Sequence, residues 1–130
     1  MKQITILNTL AHPLSVKQTE QLMNMWGDYA MTNLHDDHDL APEEYYQIRQ
    51  TPILQSDDRT AFVFAKVIVE YDVALLPAGS PALMWMVAQL MTNTGTHIGF
   101  SYSKRISEER IENGKTVKTS TFDHICWQWL

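Results

Sequence analysis

Asp72-Val73-Ala74-Leu75-Leu76-Pro77-Ala78-Gly79-Ser80-Pro81 decides the fold. An apolar run of strand length that stops at turn residues reads as a strand buried on both faces of a sheet. Pro77 and Gly79 break that strand, Ser80 is a helix N-cap residue, and Pro81 suits the first helical position because its missing N–H is not needed there. The stretch therefore predicts strand, loop and helix in immediate succession, the helix running from Pro81 to about Thr92. Leu83, Met84, Trp85, Met86, Val87, Leu90 and Met91 make this helix apolar nearly all round, so it is expected to be covered on two sides.

The same grammar opens the chain. Ile4-Thr5-Ile6-Leu7 predicts a buried strand, Asn8 to Leu14 a loop, and Ser15 the N-cap of a helix to about Trp26, stopped by Gly27. Downstream, His97 to Tyr102 reads as a further strand of the sheet. Arg105 to Glu112 and Lys115 to Thr121 flank Asn113-Gly114, a type I′ turn signal, which predicts a hairpin with polar sides. The tail Phe122 to Leu130 reads as extended, with Ile125, Trp127 and Trp129 on one side. In the middle, Tyr29 to Leu34 suits a strand, and Pro42, Glu43 and Glu44 suit a short helix start within Leu40 to Gln50. Asp57 and Asp58 ahead of Ala61 to Val69 favour a helix, with a strand over Phe62 to Val69 as the rival. The whole order is that of an α/β, Rossmann-like, mostly parallel sheet with flanking helices and a C-terminal antiparallel β-hairpin.

A chain of 130 residues, 45% hydrophobic and 19% charged, has the length and composition for one core, so residues 1–130 are expected to form a single domain. The longest apolar run, Ala82 to Met91, is interrupted by Gln89 and is far shorter than the ~18 residues of a membrane span. The N-terminus lacks the apolar core of a secretory signal, and a cytoplasmic protein with no membrane partner is expected. Cys126 is the only cysteine, which excludes an intramolecular disulfide and a Cys-type zinc site. The formal net charge of -5 argues against a wide phosphate-tracking surface, so duplex nucleic acid is not an expected partner. A few phosphates can still be held by helix N-termini and backbone amides.

Two loops carry the first site expectation. In an open parallel sheet the loops after the strands lie at the carboxyl edge, where ligands bind at the switch in strand order. This nominates Asn8, Thr9, Leu10, Ala11 and Ser15 from the first loop, and Pro77, Ala78, Gly79 and Ser80 from the second. The plain alternative is a pair of ordinary connections, since neither loop has a G-x-G-x-x-G or P-loop pattern. His12, at the mouth of the first loop, has the imidazole that acid–base chemistry needs near neutral pH, or else caps a backbone carbonyl at the surface. Lys104 and Arg105, read as the end of the strand that begins at His97, could neutralise phosphates on the same edge, or else pair across the hairpin. His35-Asp36-Asp37-His38-Asp39 has metal-ligand types without a fixed geometry; it reads as a solvated acidic loop and no metal is expected. His97 reads as structural, and His124, among Phe122, Ile125 and Trp127, as a core histidine.

Ala11-His12-Pro13-Leu14-Ser15 with Gln18, the Asp72 to Leu76 strand with its small-residue turn, Tyr102-Ser103-Lys104-Arg105, Glu108, Asn113-Gly114, Val117-Lys118-Thr119-Ser120, Phe122 and His124 together resemble the small CRISPR-associated Csx proteins of type III systems. Among these the chain is most similar to stand-alone ring nucleases. It departs from them at Ala11, where relatives carry a polar residue, and in a second loop less rich in Gly. The resemblance implies a CARF-like, Rossmann-like homodimer that binds cyclic oligoadenylate and cuts it, usually as cyclic tetra-adenylate, to switch off antiviral signalling. It implies no cofactor: the ribose 2′-OH attacks the adjacent phosphate, leaving a 2′,3′-cyclic phosphate. His12 would move the proton and Lys104 or Arg105 would meet the developing charge. A protein that sequesters the messenger without cutting it is the alternative.

Overall fold

The computed structural model describes residues 3–36, 39–41, 43, 45–46, 58–77 and 81–130. Among the described residues the elements are β1 (Ile4–Asn8), α1 (Val16–Trp26), β2 (Tyr29–Asn33), α2 (Asp58–Ile68), β3 (Val73–Leu76), α3 (Pro81–Leu90), β4 (His97–Glu112) and β5 (Lys115–Trp129). The strands form one mixed sheet in the order β2-β1-β3-β4-β5. Parallel ladders join β2 to β1, β1 to β3 and β3 to β4, and β5 closes the sheet antiparallel to β4.

Alternation along the central strands sorts the core into two layers. Ile6, Val73 and Leu75 face α1 and pack with Leu10, Leu22 and Trp127. Their chain neighbours Leu7, Ala74 and Leu76 face the other way, with Ile98, and pack against α2 and α3 through Phe64, Ile68, Leu83 and Val87. Helices therefore cover both faces of the β1–β3 centre, as the unbroken apolar runs demand.

Residues 58–68 are a helix, and the rival strand is excluded. Ala61, Phe64, Ala65 and Ile68 are buried at the i, i+3, i+4, i+7 spacing of one helical stripe, whereas Phe62 is exposed. On α3, Leu83, Met84 and Val87 are buried, but Trp85 is 67% exposed, so among the described residues only one side of this helix is covered. Of the expected short helix start, Pro42 and Glu44 lie outside the described residues, and Glu43, Tyr45 and Tyr46 are helical.

The expected strand from His97 does not stop near Tyr102. β3 ends at Leu76 opposite Phe100, and from Ser101 onward β4 is paired with β5 alone. The two strands run out as an arm on the order of 40 Å long at ~3.3 Å per residue. Asn113 and Gly114 turn it with φ of 50° and 77°, the conformation a type I′ turn requires. A β-bulge interrupts the ladder, with Tyr102 opposite Cys126 but Ser103 opposite His124. The extra residue, Ile125, turns out of the pattern, and His124 joins Trp127 and Trp129 on the α1 side. This corrects the expected grouping of Ile125 with the two tryptophans. Their face is an internal one: Trp127 Nε1 donates to Gln18 O of α1 at 3.1 Å, and Trp129 meets Trp26 edge to face at 5.3 Å. Gly99 makes room for this packing, because a Cβ there would lie 2.6 Å from the Trp129 ring.

Candidate functional site

The chain leaves β1 for β2 on one side and returns to β3 on the other, so the strand order reverses between β1 and β3. The loops that leave the carboxyl ends of these two neighbours are thus adjacent, and the cleft between them is where an open α/β sheet places a ligand.

The first loop is built by buried polar side chains. Asn8 Oδ1 accepts from Leu10 N at 3.0 Å, and Asn8 Nδ2 donates to His12 O at 3.2 Å and to Asn33 Oδ1 at 3.0 Å. Thr9 donates both its amide (3.0 Å) and its hydroxyl (2.8 Å) to Leu75 O, tying the loop to β3. The chain then enters α1 through a capping box: Gln18 N donates to Ser15 Oγ at 3.2 Å, and Ser15 N donates to Gln18 Oε1 at 2.9 Å.

Beside this loop lies a cleft of about 670 Å³. Leu10, His12, Ser15, Lys17, Gln18 and Pro77 line one wall, and Ser101, Ser103, Phe122, Asp123 and His124 of the arm's root line the other. Lys17 Nζ stands 3.9 Å from Asp123 Oδ1, half exposed, and so free to turn to an anion at little cost.

A hydrogen-bonded chain runs from the cleft into the protein. Gln21 Nε2 donates to Ile125 O at 2.8 Å, which turns its Oε1 towards His124 Nε2, 2.7 Å away. A carboxamide oxygen only accepts, so His124 carries its proton on Nε2 and offers Nδ1 as an acceptor. Ser101 Oγ lies 2.6 Å from that Nδ1 and donates to it. Ser101 Oγ in turn accepts from the Ser103 hydroxyl at 3.1 Å and from Gln18 Nε2 at 3.4 Å. Burial holds the pKa of His124 below its ordinary value; Lys17 lowers it further and Asp123 opposes the shift. The imidazole is therefore neutral at pH 7, with its accepting nitrogen against a hydroxyl at the cleft.

The sequence-nominated residues divide accordingly. Leu10, His12, Ser15 and Pro77 line the cleft. Asn8 and Thr9 are fully buried and spend their side chains on the loop itself. Ala11 is exposed beside the cleft, and Ala78, Gly79 and Ser80 lie outside the described residues. His12 Nδ1 is 3.0 Å from Pro13 O. Lys104 and Arg105 lie in mid-strand on the arm, not at a strand end, and are not among the residues lining the cleft. Arg105 reaches across the hairpin to Ser120 Oγ, at 3.0 Å from Nη2. His97 starts β4 at the far edge and packs its ring tilted against Trp26, with ring centroids 4.9 Å apart.

Of the acidic run, Asp37 and His38 lie outside the described residues, and His35 pairs with Asp36 at 3.0 Å. No group of three or more potential metal ligands occurs among the described residues, nor is any helix among them long and apolar enough to cross a membrane. Sequence reasoning missed Lys17, Ser101, Ser103 and the cleft position of His124. Ser101 belongs to no motif, Ser103 enters only as one residue of the resembling Tyr102 to Arg105 stretch, and His124 faces the cleft only because of the bulge at Ile125.

No curated protein and no solved structure matches the chain. A family model does, over residues 4–128, a span that takes in both loops, the hydrogen-bonded chain and both strands of the arm. By that match the chain belongs to the Uncharacterized protein MJ1673 family.

Proposed function

We propose that the cleft binds cyclic oligoadenylate, cyclic tetra-adenylate in the first instance, and that the protein is a ring nuclease that opens it. The observation that carries this reading is the cleft itself, about 670 Å³ at the strand-order reversal and lined by hydroxyls, an amide, imidazoles and the Lys17 ammonium. Its size is within the ~300–1,000 Å³ of small-molecule sites, and its wall includes the N-terminal turn of α1, where phosphate is favoured. The strand order and the helices on both faces support the Rossmann-like, CARF-like architecture that the sequence resemblance implies.

In the proposed reaction a ribose 2′-oxygen attacks the adjacent phosphorus in line; the O2′–P bond forms and the P–O5′ bond breaks. Products are a linear chain with a 2′,3′-cyclic phosphate and a 5′-hydroxyl. Orientation in the cleft supplies much of the barrier reduction. In this reading His12, at the cleft wall, protonates the leaving 5′-oxygen, and Lys17, also at the wall, meets the charge on phosphorus. Lys17 thus takes the part first given to Lys104 or Arg105, which the arm carries away from the loops. A ring of four equal nucleotides has two-fold symmetry, which a homodimer with paired clefts matches. An intracellular messenger places the protein in the cytoplasm.

Incubation with cyclic tetra-adenylate in excess EDTA, followed by chromatography, tests the reading. Linear product ending in cyclic phosphate is the expected result. An intact ring held stoichiometrically would instead make the protein a messenger sponge, and an unbound ring would remove the nucleotide reading.

A further inference from the structure

We infer that Ser101, His124 and Gln21 form a proton relay in which Ser101 Oγ takes the proton from the attacking 2′-hydroxyl. The inference rests on the nucleotide-cleavage reading and gives it the proton acceptor it lacks. His12 has its Nδ1 against Pro13 O and is assigned to the leaving group, so a second group must accept the 2′ proton. His124 cannot meet a ligand directly, because Gln21 and Ser101 occupy its two nitrogens at 2.7 and 2.6 Å. Ser101 can: it lines the cleft, its proton already points at an accepting nitrogen, and the 2′-hydroxyl takes the place of the long 3.4 Å contact that Gln18 Nε2 makes to its oxygen.

The step balances. As O2′ bonds to phosphorus and P–O5′ breaks, the 2′ proton passes to Ser101 Oγ while Ser101's own proton passes to His124 Nδ1. The imidazolium so formed keeps its Nε2–H on Gln21 Oε1. Around it stand Lys17 from α1, Asp123 from β5 and the uncharged Ser101 and Ser103 from β4. Lys17 favours the neutral imidazole before the step and Asp123 favours the cation after it. His12 gives the leaving 5′-oxygen its proton; after product release His124 gives the relay's one extra proton to solvent and His12 takes one back, so Ser101 remains a hydroxyl throughout. Ser101 touches the reacting atoms; His124 and Gln21 act through it and are positioning residues.

Single-turnover cleavage and binding of cyclic tetra-adenylate, measured from acid to neutral pH on the full chain, test the relay. Ser101→Ala is expected to lower the cleavage rate by about 100-fold or more, with binding within about threefold. Ser101→Thr keeps a hydroxyl and is expected to recover at least about tenfold of that loss. His124→Asn presents an acceptor oxygen to Ser101 but takes no proton; it is expected to fold and bind, to lose cleavage like Ser101→Ala, and to lose the rise in rate that wild type shows as pH climbs towards the ordinary histidine range. Wild-type cleavage with His124→Asn or Ser101→Ala equally active would overturn the relay and leave the ring nuclease standing. A wild type that leaves the ring intact would overturn both.

Discussion

His124 is buried, yet its ring is neutral and fully hydrogen-bonded, so its ionisation is linked to folding as well as to the cleft. Burial and Lys17 hold its pKa below the value of about 6.5 that it has in an unfolded chain. The unfolded state therefore binds a proton first as pH falls. The stability that the neutral imidazole supports is complete above about pH 6.5 and is lost as pH drops through the folded-state value. The expected result is a urea midpoint that falls between about pH 7.5 and pH 5.5 by more in wild type than in His124→Asn, since the other histidines are common to both. Equal falls would mean that His124 titrates alike in both states. Gly99 shows the same dependence of one residue on its surroundings, for its missing side chain is the space that Trp129 fills.

At the scale of the element, α1 joins stability to the site. Ser15 caps the helix, Gln18 completes the box and then reaches Ser101, and Gln21 one turn later holds His124. Ser15→Ala is expected to cost about 0.5–2 kcal/mol in urea denaturation, because the Gln18 backbone N–H loses its acceptor Ser15 Oγ, while the Ser15 N–H that holds the Gln18 carboxamide remains. A cost near zero would show that the cap is dispensable. This helix was legible in the sequence from Ser15 to Gly27, as were β1, β3 and the Asn113-Gly114 turn, because each combines a clear apolar period with end-signals made by single residues. The length of β4 was not legible. Its outer half was read only as one side of the Asn113-Gly114 hairpin and not as a continuation of the strand from His97; cross-strand pairing with β5 joins the two, and that pairing carries Lys104 and Arg105 away from the loops. The bulge at Ile125 leaves no signal of its own, yet it decides that His124 faces inward.

Across the whole molecule, the sheet order turns two separate stretches of sequence into one cleft. The order β2-β1-β3 sets the two loops side by side, and the antiparallel return of β5 brings Asp123 and His124 against α1 to close the second wall. Half of the candidate site could thus be read from the loops, namely Leu10, His12, Ser15 and Pro77. The other half required the pairing of strands distant in sequence, since Ser101 and His124 meet only through the β4–β5 ladder. The central claim is that this cleft takes a nucleotide ring, and calorimetric titration of cyclic tetra-adenylate into wild type and Lys17→Ala tests it most directly. Lys17 makes only an exposed ion pair, so its loss leaves the fold intact. Saturation at one ring per two chains, with affinity at least about tenfold weaker in Lys17→Ala, is the expected result; no binding heat, or the same affinity in both proteins, would contradict the account.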